Sequence, residues 1–329
     1  MAPPFTTSAG AFLQSVLQPQ GLQAERIWNL WNFTLMLCGI VFFAIVAVFL
    51  YALWRAPRGT AATKADLDHG HSRRAHHLAI AWALGLSAAG LGSLFAVDLL
   101  TARKLSQLLP DDALHIDLTG RQWWWQATYR NSDGAPDFIV ANELQLPVGR
   151  TVLIHLRSDD VIHSLWIPAL HGKLDLIPGR TATLRLRADA PGSYRGQCAE
   201  FCGEQHALMA LLAAAKPAGQ YEAWAVSQRR PAAPPQTASA KQGLRVFLSN
   251  GCASCHTIRG TAANGMAGPD LTHVAARETL AAGMLPNQRG HLAGWIANAR
   301  AIKPGVAMPP STLTPDDLHS LLDFMETLR

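Results

Sequence analysis

Cys198-Ala-Glu-Phe-Cys202-Gly-Glu-Gln-His206-Ala-Leu-Met209 sets two thiols four residues apart, an imidazole four further on and a thioether three beyond that. Soft sulfur and borderline imidazole donors on one short loop are the set that suits copper. A disulfide or a structural zinc would also use the two cysteines, but zinc sites take Cys, His and carboxylate, so Met209 argues for copper. One more imidazole would complete a pair of sites. His163, in Asp160-Val-Ile-His163-Ser-Leu-Trp-Ile-Pro168, is the candidate because it lies in a strand-like segment of the same region. Two thiolates on one loop can each bridge two copper ions and share one electron between them.

Around this loop, residues 113–215 alternate as strands do. Leu114, Ile116 and Leu118 alternate with polar residues, as do Val152, Ile154 and Leu156, and Leu184 and Leu186 stand between Thr and Arg. Ser132-Asp133-Gly134, Pro147-Val148-Gly149 and Pro178-Gly179 mark turns. An all-β sandwich or barrel follows.

Before it come two uncharged runs. Ile27 to Trp54 contains no charge, and Phe33 to Leu53 alone would make a helix of roughly 31 Å. Leu78 to Val97 would make one of roughly 30 Å. Trp28, Trp31, Tyr51, Trp54 and Trp82 lie near the ends, as interfacial aromatics do. The connecting loop holds Arg55, Arg58, Lys64, Arg73 and Arg74 against Asp66 and Asp68, while the first 26 residues hold only Arg26, so the loop is expected in the cytoplasm and both termini outside. Ala11 to Leu17 is short, lacks basic residues before it, and does not read as a signal peptide. The composition agrees with a partly lipid-embedded chain: 49% hydrophobic and 16% charged, against about 25% charged in an average soluble protein. No concentrated basic face exists for nucleic acid.

Pro231-Ala-Ala-Pro-Pro-Gln-Thr-Ala-Ser-Ala240 reads as a short semi-rigid spacer after a helix over Tyr221–Arg230. Beyond it, helical patterning covers Gln242–Ser249, Gly290–Arg300 and Pro315–Leu328. Cys252-Ala-Ser-Cys255-His256 is the attachment signature of c-type haem, with both thiols forming thioethers and His256 binding the iron. The chain's own Cys and His frequencies would produce that spacing by chance about 0.003 times. For the sixth ligand, Met308 in Lys303-Pro-Gly-Val-Ala-Met308-Pro-Pro is favoured over Met266, Met284, Met325, His273, His291 and His319, because an extended proline-rich loop can cross the far haem face. Met325 sits on the amphipathic face of the last helix and reads as core. Cys38, alone in the first apolar run, reads as lipid-facing or core.

Residues 25–225 resemble subunit II of the haem-copper cytochrome c oxidases: His163 through Pro168, Lys173, Asp175 and Ile177-Pro-Gly-Arg180 precede the cysteine loop at that family's distances. Residues 241–329 resemble a class I cytochrome c over their whole length. The resemblance implies an N-terminal periplasmic segment (1–26), a two-helix transmembrane hairpin (27–100), an all-β cupredoxin-like domain (101–230), the linker (231–240) and a small all-α cytochrome c domain (241–329). It implies a binuclear copper centre bridged by Cys198 and Cys202, completed by His163, His206, Met209 and the main-chain carbonyl of Glu200. The Glu200 side chain would face magnesium at the junction with subunit I. Within Gly120-Arg-Gln-Trp123-Trp124-Trp125, Trp123 would be where electrons enter; alternate members of a strand must face inward, so at least one of the three tryptophans would serve only as core. Gly268-Pro269-Asp-Leu271 resembles the turn whose proline carbonyl steadies the haem-ligating histidine. The implied role is to relay electrons from a cytochrome c-type donor through the haem and the copper to the oxygen-reducing site of subunit I, beside subunit III, in a bacterial inner membrane. The same cofactors would serve the electron-accepting subunit of a nitric oxide reductase, whereas a membrane-anchored copper carrier would need neither Met209 nor a haem, and a quinol oxidase subunit would lack the copper ligands. One departure from many relatives is the absence of a carboxylate in Ala75-His-His-Leu-Ala-Ile-Ala-Trp82, where they carry a glutamate at the mouth of a proton path.

Overall fold

A computed structural model describes residues 13–56, 59, 73–106 and 112–329. Arg58, Lys64, Asp66 and Asp68, on which the orientation of the connecting loop rests, lie outside the described residues, as does Ala11. The chain forms two compact units, residues 26–108 and the remainder.

The first unit is made by helices α1 (Leu22–Arg55) and α2 (Arg73–Ser106), which contain the two uncharged runs and extend past them. Both are long and apolar enough to cross a membrane. Their large apolar side chains point outward, with Phe43 70% and Leu84 66% exposed. Hydroxyls inside the helices are satisfied within them, Thr34 donating to the Leu30 carbonyl and Thr101 to that of Val97, as a lipid environment requires.

The second unit begins with a β sandwich: β1 (Leu114–Arg121), β2 (Trp124–Arg130), β3 (Pro136–Ala141), β4 (Glu143–Pro147), β5 (Val152–Ser158), β6 (His163–Trp166), β7 (Leu174–Leu176), β8 (Ala182–Leu186), β9 (Gly192–Cys198) and β10 (Ala210–Lys216). One sheet has the order β3-β2-β1-β5-β8 and the other β4-β10-β9-β6-β7. The alternating apolar positions of the sequence face inward: Ile116, Leu118, Ile154 and Leu156 are fully buried, each contributing about 1.5–3 kcal/mol. Helix α3 (Ala218–Arg229) closes the sandwich by burying Tyr221 and Ala225, and Trp224 packs on Tyr129 and Phe138. Residues 13–24 line the sandwich edge, Leu13 pairing with Tyr194 and Gly21 with Ala188.

The C-terminal part holds α4 (Ala238–Ser249), α5 (Cys252–Cys255), a short pair β11 (Thr279–Leu280) and β12 (Leu285–Pro286), α6 (Arg289–Ile302) and α7 (Pro315–Met325). Helices α4 and α7 cross where Gly243 meets the Ser320 carbonyl, so closely that a Cβ there would lie 2.0 Å from that oxygen. Val246, Phe247, Leu321, Leu322, Phe324 and Met325 make the core around the crossing. The β11/β12 pair is an addition to the helical pattern; each strand is two residues long, too short to leave a period-2 trace. The segment before α4 is pinned rather than free: the Ala232 amide donates to the Arg259 carbonyl and the His273 ring bonds the Arg230 carbonyl.

Candidate functional site

Strand β6 pairs with β9 so that Leu165 lies opposite Cys198, which brings His163 beside that thiol. The Cys198 amide donates to the Met209 carbonyl and the Ala199 amide to that of Ser164, folding the loop back on both strands. The two thiols stand 3.7 Å apart. His163 Nδ1 is 3.8 Å from Cys198 Sγ, His206 Nδ1 3.6 Å from Cys202 Sγ, Met209 Sδ 3.9 Å from Cys202 Sγ and the Glu200 carbonyl 3.2 Å from Cys198 Sγ. Cys198, Cys202, His163 and Met209 are buried. Gly120 makes room for the imidazole, since a Cβ there would lie 2.8 Å from His163 Cδ2.

Asp160 completes the arrangement. Its Oδ1 bonds His163 Nε2 at 2.7 Å and its Oδ2 accepts from the Gln122 amide at 2.6 Å, so Nε2 carries a proton and Nδ1 is the ring atom turned to the sulfur. Burial opposes charge on His163, but its bonds to Cys198 and Asp160 outweigh this and raise its pKa. The contact between the two sulfurs pulls the Cys198 thiol down to about 3, and the same contact, with burial, holds that of Cys202 above its ordinary value, so the two titrate as a pair.

At the second centre, Cys252 and Cys255 lie on the single turn of α5, with His256 immediately after. His256 Nδ1 donates to the Pro269 carbonyl at 2.8 Å, leaving Nε2 as a free donor atom. Burial lowers its pKa, against the pull of that carbonyl, and keeps the ring neutral. Gly268 lets the chain pass under the ring; a Cβ there would lie 2.6 Å from His256 Cε1. Met308 is half-buried in the loop after α6, while Met266 is 70% exposed and Met325 is packed in the core.

Comparison with known proteins matches residues 132–215 to the cytochrome c oxidase subunit II periplasmic domain and residues 240–329 to cytochrome c. The chain is similar to cytochrome c oxidase subunit 2 of Alkalihalophilus pseudofirmus, 32% identical over 323 residues, which cover 96% of this chain and 91% of that one. The chain belongs to the cytochrome c oxidase subunit 2 family. It is also similar to the subunit 2 of Bacillus subtilis, 29% identical over 67% of this chain and 63% of that one. The solved periplasmic domain of subunit II of cytochrome oxidase from Bradyrhizobium japonicum is 28% identical over 37% of this chain and 97% of that chain, with a TM-score of 0.34. As a member of this family the chain is a subunit of a haem-copper oxidase complex, and its cytochrome c domain supports a role in electron transfer.

Trp123 touches both the 198–209 loop and the 303–305 segment, and it lies in the turn between β1 and β2 rather than in the strand run expected for residues 123–125. Its Nε1 donates to the Cys202 carbonyl at 2.9 Å, beside Gln122 Nε2 at 2.8 Å. Trp124 lies under Arg121, and Trp125 is fully buried against His163. Glu200 faces outward, 3.5 Å from Lys173. Three further residues hold the site together without having been singled out by sequence. Asp160 had a readable signal, a carboxylate three residues before His163. Glu143 and Lys303 had none, because each is buried only where the two domains meet. Burial pushes the Lys303 ammonium down to about 8, against the pull of Cys202.

Proposed function

We propose that this chain is the electron-accepting subunit of an aerobic terminal oxidase. Cys198, Cys202, His163, His206, Met209 and the Glu200 main-chain carbonyl would hold a binuclear copper centre, while Cys252 and Cys255 would bind haem c covalently between His256 and Met308. The observation that carries this reading is the buried thiol pair, ringed at 3.2 to 3.9 Å by two imidazole nitrogens, a thioether and a carbonyl. That donor set fits copper, and the free Nε2 of His256 beside two thiols fits a haem. Bound there, the two groups would supply one-electron carriers.

The chain's own residues position those carriers. Asp160 holds the His163 tautomer, and Pro269 holds that of His256. Trp123 is fastened to the carbonyl of a copper-ligating cysteine, which supports it as the residue through which electrons enter. The Glu200 carboxylate would exchange Lys173 for magnesium at the boundary with subunit I. Subunit III and a cytochrome c-type donor complete the expected partners, with the copper and haem domains on the outer face of a bacterial inner membrane. Elemental analysis of the purified complex together with a pyridine haem assay tests the reading. Two coppers and one covalently held haem per chain are expected at these sites; zinc in place of copper, or a haem that acid solvent extracts, overturns it.

A further inference from the structure

Lys303 is 1% exposed, and no carboxylate lies within ion-pair distance of its ammonium among the described residues. Its Nζ instead donates to three main-chain carbonyls from three segments: Trp123 at 2.9 Å, Leu208 at 2.8 Å and Ala281 at 3.4 Å. The first belongs to the β1–β2 turn, the second to the loop of candidate copper ligands, the third to the β11–β12 connection. Two residues on, Gly305 lies against the Trp123 ring, where a Cβ would be 3.1 Å from the indole and 2.6 Å from Glu204 Oε2. Ala281 and Ala282 hold left-handed backbone, φ +54 and +59, which alanine adopts only where surroundings impose it. Here the imposing contacts are Lys303 on the Ala281 carbonyl and the Ala210 amide on the Ala282 carbonyl. A buried charge is a poor source of stability, since an apolar side chain of similar volume would avoid its desolvation; its attested use is to fix register between packed parts.

We propose that Lys303 is a positioning residue, which locks the loop carrying Met308 onto Trp123 and the 198–209 loop so that transfer between the two domains occurs in one fixed geometry rather than by encounters of a tethered domain. This rests on the relay reading above. The test uses the full chain in its purified complex, with Lys303→Met, and reads two quantities. The first is amide exchange at Ala210, which reports docking and needs no cofactor. The second is the rate at which copper is reduced after flash reduction of the haem. Loss of the charged hydrogen bonds is expected to speed exchange at Ala210 about tenfold or more. Copper reduction is expected to slow by about the same factor and to become dependent on solvent viscosity, with haem and copper spectra unchanged. Gly305→Ala, which strains a left-handed backbone (φ +81) and crowds Trp123 while keeping the ammonium, is expected to give the same pattern, and it decides the matter should Lys303→Met not fold. Exchange and transfer both unchanged in the variant that folds would overturn the proposal. A wild-type chain in which flash-reduced haem never reduces copper would instead sink the relay, and exchange at Ala210 would still judge Lys303.

Discussion

Glu143 gives the docking of the two domains a measurable magnitude. Its Oε1 accepts from the amides of Glu278 and Thr279, both at 2.9 Å, and from the Thr279 hydroxyl at 3.1 Å. Glu143 and Thr279 are both buried, whereas Glu278 is exposed and its amide can find water. Glu143→Ala therefore strands two donors at about 1–3 kcal/mol each, a loss of about 2–6 kcal/mol from the junction. Glu143→Gln keeps an oxygen in the place of Oε1 and should cost far less. The two variants also part in their dependence on pH. Burial raises the Glu143 pKa, against the Thr279 amide and the Arg277 charge. A carboxyl whose folded pKa is raised binds its proton more tightly when folded, so its contribution is fully present below the ordinary value of about 4.3 and is lost as pH climbs through the raised one. Junction stability of the wild type should thus fall over that window, and Glu143→Gln should flatten the fall. Amide exchange at Ala210, corrected for its intrinsic pH dependence, reads both effects. Equal protection in the Ala and Gln variants, or an unchanged pH slope in the Gln variant, would refute the assignment.

The other predictions concern the two centres and the helical core. Gly120→Ala places a Cβ 2.8 Å from His163 Cδ2 and should displace the ring, lowering the copper-to-protein ratio while the haem spectrum stays intact; full copper loading would contradict it. Met308→Ala should shift the haem spectrum and lower its potential with copper unaffected, and His163→Asn should do the reverse. An unaltered haem spectrum in the first variant removes Met308 from the site. Gly243→Ala must force α4 and α7 apart at the Ser320 carbonyl, costing about 3 kcal/mol, the upper end of overpacking penalties, read as a lower midpoint for loss of helical signal in the C-terminal domain.

The parts of this molecule that sequence made legible are those whose chemistry is local. The thiols, imidazole and thioether of 198–209 and the pair of cysteines before His256 sit within a few residues of one another, so spacing alone groups them. Period-2 alternation located β1, β5 and β8 because one face of each strand is buried. What stayed illegible depends on contacts across long stretches of chain. Lys303, between Ile302 and Pro304, has no local sign of burial; the arrival of Trp123, 180 residues earlier, with Leu208 and Ala281, buries it and replaces water with carbonyls. Gly120 has no local mark of its role, since its missing Cβ matters only where it admits the His163 ring from another strand. The placement of Trp123 departs from a strand run for a related reason. In an unbroken strand, neighbours in a run of three tryptophans would alternate faces, but the β1–β2 turn takes the first out of the alternation and frees its Nε1 to reach the Cys202 carbonyl. Local ligand patterns therefore say which groups a chain can hold, while the groups that bring two centres into register are uncharacteristic residues, made specific by the surface that covers them.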